Sequence, residues 1–416
     1  MTDHSSVLLQ RPGAVPAGEP DAGVAAHYGD PVREQRALEN GRAVVDLSHR
    51  AVVAVTGPDR LSWLTTLSSQ QVTELRPAEA SELLLLDISG RIEHWAAITD
   101  DGETAWLVTE SGRGEALADW LDSMKFTLRV EVTERSAEYA VLGSAAPLPE
   151  PAQQVARQNW PETEAEGGAE KSAPLDWADP WPRLGPGGTS YAAVEDAEHP
   201  GLEWDWHLTV VPRGGLTAVV EAAEAVEHGD SGSWTLAGVW ASEALRIAAW
   251  RPRQAFDADA KAIPHELDLI RTAVHMSKGC YKGQETIARV HNLGHPPRRL
   301  AFLHLDGSEH TLPEPGAEVL APKDAADPEA LKRERAVGTV TSVARHHEMG
   351  PIALALVKRK VDPEAQLVVR STAASVQDGD QQEPVFYAAA QELIVRPDAG
   401  QTVGRPKGDF VRAPRR

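Results

Sequence analysis

KGCYKGQE, residues 278–285, is the stretch of this sequence that indicates most about its fold and function. Its Cys280 is the single cysteine of the chain, and Lys278 and Lys282 lie two positions to either side. In an extended segment alternate side chains point to one side, so both ammonium groups would face the sulfur. Nearby positive charge favours the thiolate form of a cysteine. We therefore predict that Cys280, assisted by Lys278, is a reactive catalytic thiol; the alternative is a small buried hydrophobic side chain.

Glycine and positive charge surround this cysteine. Gly279 and Gly283 can adopt positive φ, or can let a ligand approach the backbone closely. Glu285 and Arg289 are four residues apart and could pair if a helix begins there. Residues 278–299 contain five Lys or Arg and one acid. This local excess of positive charge suits an anionic ligand such as a polyglutamate tail, a phosphate or RNA.

The chain as a whole is acidic and has an ordinary globular composition. It has 416 residues, of which 42 % are hydrophobic and 25 % charged, and its net charge is −21 at pH 7. Such a charge repels phosphate backbones and disfavours direct nucleic-acid binding, although a local basic loop could still bind. One cysteine excludes an internal disulfide and a self-contained site with several thiolates. No apolar run approaches the roughly 18 residues of a membrane span, and no secretory signal is visible, so we expect a cytoplasmic protein.

Composition and periodicity divide the chain into successive segments. Asp30 and Pro31 have the residue types of a helix start, and Thr104–Thr109 has the apolar pattern of a strand. Short alternating runs from residue 298 onward indicate a small β-barrel. The predicted segments are a disordered arm (1–25), an N-terminal α+β lobe (26–148), an acidic, proline-rich insertion (149–200), a second α+β lobe (201–297), a C-terminal β-barrel (298–400) and a basic tail (401–416).

The stretch at 278–285 resembles the Lys-Gly-Cys-Tyr-x-Gly-Gln-Glu signature of the YgfZ family, folate-binding factors for iron–sulfur assembly. That family is related to the glycine cleavage T-protein, a tetrahydrofolate-dependent aminomethyltransferase. The segments at 41–49, 57–61, 243–247 and 338–342 also resemble the superfamily. The resemblance implies a ring of two ferredoxin-like α+β lobes and a β-barrel around a central folate hole. It further implies these folate-binding residues: Tyr281, Gly283, Gln284, Glu285, Arg289, Glu93, His94 and Arg246.

The sequence departs from the T-protein pattern at two carboxylates. Glu93 and His94 stand where T-proteins carry an acidic pair, and Ala248 replaces the glutamate that grips the pterin. The resemblance therefore implies a folate-binding factor that uses Cys280 to assemble or repair iron–sulfur clusters in client proteins, tRNA-modifying enzymes included. A tetrahydrofolate-dependent one-carbon transferase and a non-catalytic module that docks a partner or RNA are the alternatives.

Other chemistry-bearing residues are assigned structural roles. The spacing of the histidines, His346 and His347 among them, matches no metal-ligand pattern, so we predict no metal site. Trp204 and Trp206 are expected to pack in a core or at its rim, with stacking against a flat cofactor as the alternative. The acids close to the signature are expected to be solvated: Asp257, Asp259, Glu266 and Asp268.

Overall fold

The computed structural model describes residues 5–161, 175–227, 233–325, 327–372, 377–378 and 381–401. Its α-helices are α1 (Pro31–Glu39), α2 (Arg60–Leu67), α3 (Gly114–Ser123), α4 (Glu150–Asn159), α5 (Leu216–Glu224), α6 (Val239–Ala248), α7 (Gln254–Asp257), α8 (Gln284–Leu293) and α9 (Pro328–Arg333). Its strands are β1 (Val15–Pro16), β2 (Ala25–His27), β3 (Ala43–Asp46), β4 (Ala51–Thr56), β5 (Ala80–Leu86), β6 (Ile92–Asp100), β7 (Thr104–Thr109), β8 (Glu131–Glu134), β9 (Tyr139–Ser144), β10 (Leu175–Ala178), β11 (His207–Pro212), β12 (Thr235–Ala237), β13 (Arg298–Leu305), β14 (Glu318–Leu320), β15 (Gly338–His346), β16 (Gly350–Lys358), β17 (Leu367–Ser371), β18 (Gln377–Asp378), β19 (Gln381–Gln382) and β20 (Val385–Leu393).

The first lobe is a five-stranded antiparallel sheet with the order β5-β6-β7-β4-β8. Helices α2 and α3 contribute Leu64, Leu117 and Leu121 to a core that also contains Val53 and Leu85 of the sheet. With one extra edge strand, β5, the order of strands and helices is that of a ferredoxin-like βαββαβ unit. This part of the predicted fold is confirmed.

The second lobe is built from strands that lie far apart in the sequence. Its sheet has the order β10-β11-β9-β3-β12, with β12 parallel to β3. Strands β3 and β9 flank the whole first lobe in the sequence. The predicted boundaries, 26–148 and 201–297, are therefore wrong as a division into lobes, because apolar periodicity locates strands but does not tell which strands pair.

The C-terminal region is a closed barrel in which β13, β16, β15, β14, β17 and β20 follow one another. Alternate residues such as Leu303, Ala353 and Tyr387 fill its interior. Closure pairs every strand edge and removes the exposed edges of an open sheet. The predicted β-barrel is confirmed.

Two expectations about irregular segments are wrong where the structure describes them. In the predicted arm, Leu8 packs in the core of the second lobe, Asp21 forms a buried ion pair with Arg253, and β1 and β2 pair as a hairpin. In the predicted insertion, β10 joins a sheet, and Trp181 and Tyr191 are buried. The overall composition of the segment predicts a solvated insertion because its many acids outweigh these few aromatic side chains. Residues 1–4, 162–174 and 402–416, including nearly all of the predicted tail, lie outside the described residues.

A membrane-spanning helix is not found among the described residues, since none of their helices is both long and apolar enough.

Candidate functional site

The loop that carries Cys280 is fixed against the turn between β5 and β6. Gly283 has φ of +87°, and a Cβ there would lie 2.6 Å from the carbonyl oxygen of Asp87. The Cα of Gly90, which has φ of +74°, would lie 3.1 Å from the same Cβ. Only glycine fits both the left-handed backbone and this close approach. Position 283 therefore requires glycine, because of its positive φ and because the backbone of the β5–β6 turn packs against it.

The two lysines beside Cys280 turn away to different partners. Lys278 is 8 % exposed, and its ammonium donates to the carbonyl oxygens of Thr65 and Ser68 at the end of α2. Burial lowers the pKa of Lys278 to about 8. The Nζ of Lys282 lies 3.0 Å from Oε2 of Glu93. The prediction that both lysines face the sulfur from an extended segment is wrong, because the backbone at this point consists of turns.

Cys280 itself is exposed, so its thiol can meet a partner. Tyr281 is buried beneath Lys278, whose Nζ lies 4.7 Å from the centre of the ring. Gln284 donates from Nε2 to the carbonyl oxygen of Lys278 at 3.3 Å and closes the loop. The alternative of a small buried hydrophobic side chain at this position is therefore wrong.

The basic character of this region is largely neutralised in the folded chain. Arg299 is fully buried in the barrel, and Arg298 pairs with Asp259 at 2.6 Å and with Glu266 at 2.8 Å. Glu285 and Arg289 lie exposed on α8. Because Lys278 and Lys282 are paired, Arg289 is left as the exposed cation of the five Lys and Arg residues in this region. The local excess of positive charge in the sequence does not become a basic surface patch.

Strand β6 connects the cysteine loop to a cavity between the two lobes. Trp95 and Ala97 line the cavity. Glu93 lies at a β-bulge just before them, since Leu85 of β5 pairs with His94 and Leu86 pairs with Ile92. The carboxylate of Glu93 holds Lys282, whose Nζ lies 6.0 Å from the centre of the Trp120 ring. The ring of His94 lies 6.2 Å from the same tryptophan, and burial lowers its pKa. Glu93 and His94 thus lie together beside the cysteine loop.

The cavity has a volume of about 80 Å³ and lies where the inner faces of the two sheets meet. Its aromatic lining comprises Trp95, Trp177, Trp204 and Trp206. Trp204 and Trp206 are buried and their rings stack on each other, with the centres 4.9 Å apart, so the packing role is confirmed; stacking against a flat cofactor stays a prediction. Its charged lining comprises Arg50, Glu82, Glu110, Asp179, Arg246, Arg251 and Arg253.

Arg251 holds one half of a buried ion network. It lies 2.8 Å from Glu82 and 2.9 Å from Asp179. The indole N–H groups of Trp95 and Trp204 donate to the same two carboxylates, at 2.8 and 2.9 Å. Burial raises the pKa of Asp179. The cavity wall is therefore polar and rigidly hydrogen-bonded behind its aromatic surface.

Arg253 and Arg246 hold the other half of the network. Arg253 pairs with Asp21 at 2.6 Å and with Glu110 at 2.8 Å. Although burial favours the neutral acid, the charge of Arg253 lowers the pKa of Glu110 to about 2. Arg246 reaches Asp257 at 3.0 Å and lines the cavity; its predicted role in folate binding stays a prediction. Asp257, expected to be solvated, is fully buried, as are Glu266 and Asp268, because arginines or backbone N–H groups bind them.

Arg251 and Arg253 were not among the predicted site residues. The signal available in the sequence was Trp250-Arg251-Pro252-Arg253, a pair of arginines at alternate positions just before the signature. Their partners Glu82, Asp179 and Asp21 come from three distant segments, so the network itself could not be found from spacing.

The comparisons with known proteins agree with this architecture. Residues 25–156 match the family model described as the GCVT N-terminal domain. An aminomethyltransferase of Prochlorococcus marinus (strain NATL2A) is 28 % identical over 122 residues, which are 28 % of this chain and 33 % of the relative. The chain thus spans about a third of the length of this curated relative. One from Symbiobacterium thermophilum is 24 % identical over 289 residues, 67 % of this chain and 71 % of the relative.

Among solved structures, the glycine cleavage system aminomethyltransferase T from Bartonella henselae superposes with a TM-score of 0.64 at 17 % sequence identity. The match covers 95 % of this chain and 96 % of that one. The chain therefore has the aminomethyltransferase fold over almost its whole length, as predicted. The narrower resemblance to the YgfZ family stays a prediction.

Proposed function

We propose that this chain binds a reduced folate between its lobes and uses Cys280 to assist the assembly or repair of iron–sulfur clusters in client proteins, tRNA-modifying enzymes included. One observation carries the proposal: the exposed thiol stands on a loop tied through Lys282 to Glu93 of β6, the strand whose Trp95 and Ala97 line the cavity. A ligand in the cavity and a partner at the thiol would thus share β6. A cytoplasmic location is part of this proposal.

The cavity has the chemistry for a pterin but not the volume. Its tryptophans offer flat apolar surfaces, and Glu82 and Asp179 are the acceptors available to ring N–H groups. Small-molecule sites measure about 300–1,000 Å³, several times the volume present. Binding therefore requires lining side chains to move outward. A bound reduced folate would supply a one-carbon carrier; the protein would position it.

Cys280 can act in cluster assembly only together with a partner. A single thiolate offers one ligand, whereas a cluster takes about four. The exposed sulfur would therefore supply one thiolate ligand, while the client provides the others. Lys278 is fixed beneath the loop by the carbonyl groups of α2 and positions the loop without contacting the client.

Genetic complementation tests the thiol. In a strain lacking this protein, Cys280→Ser and Cys280→Ala should fail to restore an iron–sulfur enzyme under oxidative stress, whereas the wild type restores it. Because the side chain is exposed, both variants should keep the wild-type unfolding midpoint. Full rescue by both variants would remove the thiol from the mechanism.

Tryptophan fluorescence tests folate binding separately. Tetrahydrofolate should quench emission in the wild type, and Trp206→Phe should weaken the response because Trp206 lines the cavity. The matched control is Trp240→Phe, since Trp240 is exposed and lies outside the cavity lining. Quenching that is unchanged in Trp206→Phe, or equally reduced in Trp240→Phe, would place the ligand elsewhere.

The second candidate function is a tetrahydrofolate-dependent one-carbon transferase. It is favoured by the fold and by the carboxylate of Glu93, which lies on β6 two residues before the cavity-lining Trp95. Turnover of an aminomethyl donor that is lost in Glu93→Gln would establish it. Docking of RNA by the basic loop finds no such support, because the cations there other than Arg289 are buried or paired.

A further inference from the structure

Two histidines and a glutamate meet where the second lobe contacts the barrel. Glu39 is the last residue of α1, His346 is the last residue of β15, and His347 follows in the turn to β16. One potential ligand atom from each of the three lies within 4.8 Å of the other two. We propose that Glu39, His346 and His347 bind a divalent transition-metal ion of the Zn²⁺ class, which joins the lobe to the barrel.

His347 already faces the carboxylate of the site. Its side chain is 2 % exposed, and its Nε2 lies 3.0 Å from Oε2 of Glu39. Nε2 is therefore the nitrogen that can share an ion with Glu39, because Nδ1 lies on the other side of the imidazole ring. Glu39 is exposed, so an ion can enter from solvent.

His346 completes the donor set. Its ring stacks on that of His347, with the two ring centres 4.7 Å apart. Its Nδ1 now accepts from the N–H groups of Glu348 and Met349, both at 3.2 Å. Metal–ligand bonds of about 2.0–2.1 Å place the ligand atoms about 3.3 Å apart, so the ring of His346 must turn toward the ion. This turn breaks the two long hydrogen bonds. Both donors lie in an exposed turn, which allows the adjustment.

The surroundings favour a cation. Glu39 stands at the C-terminus of α1, where the helix dipole presents its negative end. Two imidazole nitrogens and one carboxylate oxygen prefer Zn²⁺, Ni²⁺ or Cu²⁺ to Mg²⁺ or Ca²⁺, and they leave a position open for water or an external ligand. The ion would replace the proton that His347 shares with Glu39, so binding should release a proton.

The backbone around the site is already held across the interface. Gln35, one turn before Glu39 on α1, donates from Nε2 to the carbonyl oxygen of Arg345 at 2.9 Å. Its Oε1 accepts from the N–H of His347, also at 2.9 Å. The helix and the β15–β16 turn are thus fixed relative to each other on both sides of the donor set, and an ion there would strengthen the attachment of the barrel to the lobe.

Calorimetric titration of the full chain, stripped with a chelator and free of any polyhistidine tag, tests the site with ZnCl₂ and with MgCl₂. We expect one Zn²⁺ per chain, proton release that follows the ionisation enthalpy of the buffer, a raised unfolding midpoint and no Mg²⁺ binding. His347→Ala and Glu39→Gln should each weaken Zn²⁺ binding by about tenfold or more. Since Glu39 is exposed, its variant should fold even if the other does not.

The matched control is His304→Ala. His304 forms a comparable pair with Glu392 at 2.6 Å on the same barrel, without a second histidine beside it in the candidate metal group. This variant should keep wild-type Zn²⁺ affinity. Absence of stoichiometric Zn²⁺ binding by the wild type, equal binding by the Glu39→Gln variant, or equal loss in His304→Ala would overturn the proposal.

Discussion

Replacing the buried carboxyl of Asp268 by an amide should make the protein relatively more stable as the pH rises. Asp268 is 0 % exposed; one of its oxygens accepts from the N–H of Tyr191, and Oδ2 finds no partner among the described residues. Burial raises its pKa from 3.8 to about 7. The folded chain therefore holds a proton that the unfolded chain releases between pH 4 and 7. This group accordingly lowers stability as the pH increases.

Asp268→Asn removes this titration and keeps the acceptor for Tyr191. With the pKa near 7 when folded and 3.8 when unfolded, the wild type loses about 2 kcal/mol relative to the variant between pH 5 and pH 7. Urea unfolding at a series of pH values measures the difference. The positive φ of 54° at this position is also well suited to asparagine.

Asp257→Asn is the matched control. Asp257 is equally buried, but its carboxylate accepts from Arg246 at 3.0 Å and from Ser342 at 2.7 Å. This variant should lose stability at neutral pH because a charged acceptor is removed from a buried arginine. A stability difference for Asp268→Asn that does not change between pH 5 and 7, or that changes in the opposite direction, would refute the reasoning.

Three further substitutions probe the cavity wall, a close backbone contact and the cysteine loop. Arg251→Ala should cost about 3–5 kcal/mol in denaturant unfolding because it leaves two buried carboxylates unpaired, whereas the exposed Arg129→Ala should leave the midpoint unchanged. Gly238→Ala should strongly destabilise the protein in thermal unfolding, since its Cβ would lie 2.2 Å from a carbonyl oxygen of β2; a wild-type midpoint would contradict this. Lys278→Met should abolish a rise in stability above pH 8, because the folded lysine with a pKa of about 8 releases its proton earlier than the unfolded one; an unchanged alkaline slope would assign that rise to another group.

Features set by neighbouring residues could be predicted from the sequence. The helix over Pro31–Glu39 starts where Asp30 and Pro31 indicate, because Asp30 accepts from the N–H of Arg33 at 3.0 Å. Strand β7 has the bounds that its apolar pattern predicts. Both depend on local hydrogen bonds and local periodicity, and the C-terminal barrel followed from the same kind of pattern.

Features that depend on distant partners could not be predicted. The sequence marked Cys280 and its lysines, but the direction of each lysine depends on carbonyl groups of α2 and on Glu93, which only the folded chain brings near. Asp257 and Glu266, which are expected in solvent, are buried for the same reason, because Arg246 and Arg298 compensate their charge. His346 and His347, for which the sequence predicts no metal site, lie next to Glu39 because α1 packs against the barrel.

The interleaving of the two sheets sets an order in which the protein can be built during translation. All strands of the first lobe lie between residues 51 and 134, and the chain enters and leaves that lobe at adjacent points, with Arg135 donating to the carbonyl oxygen of Val52 at 2.8 Å. The first lobe can therefore finish folding on the ribosome as a unit. Strand β3, made earlier, must wait with one side open until Thr235–Ala237 emerges, so a nascent chain stalled before that point exposes an unpaired edge to chaperones.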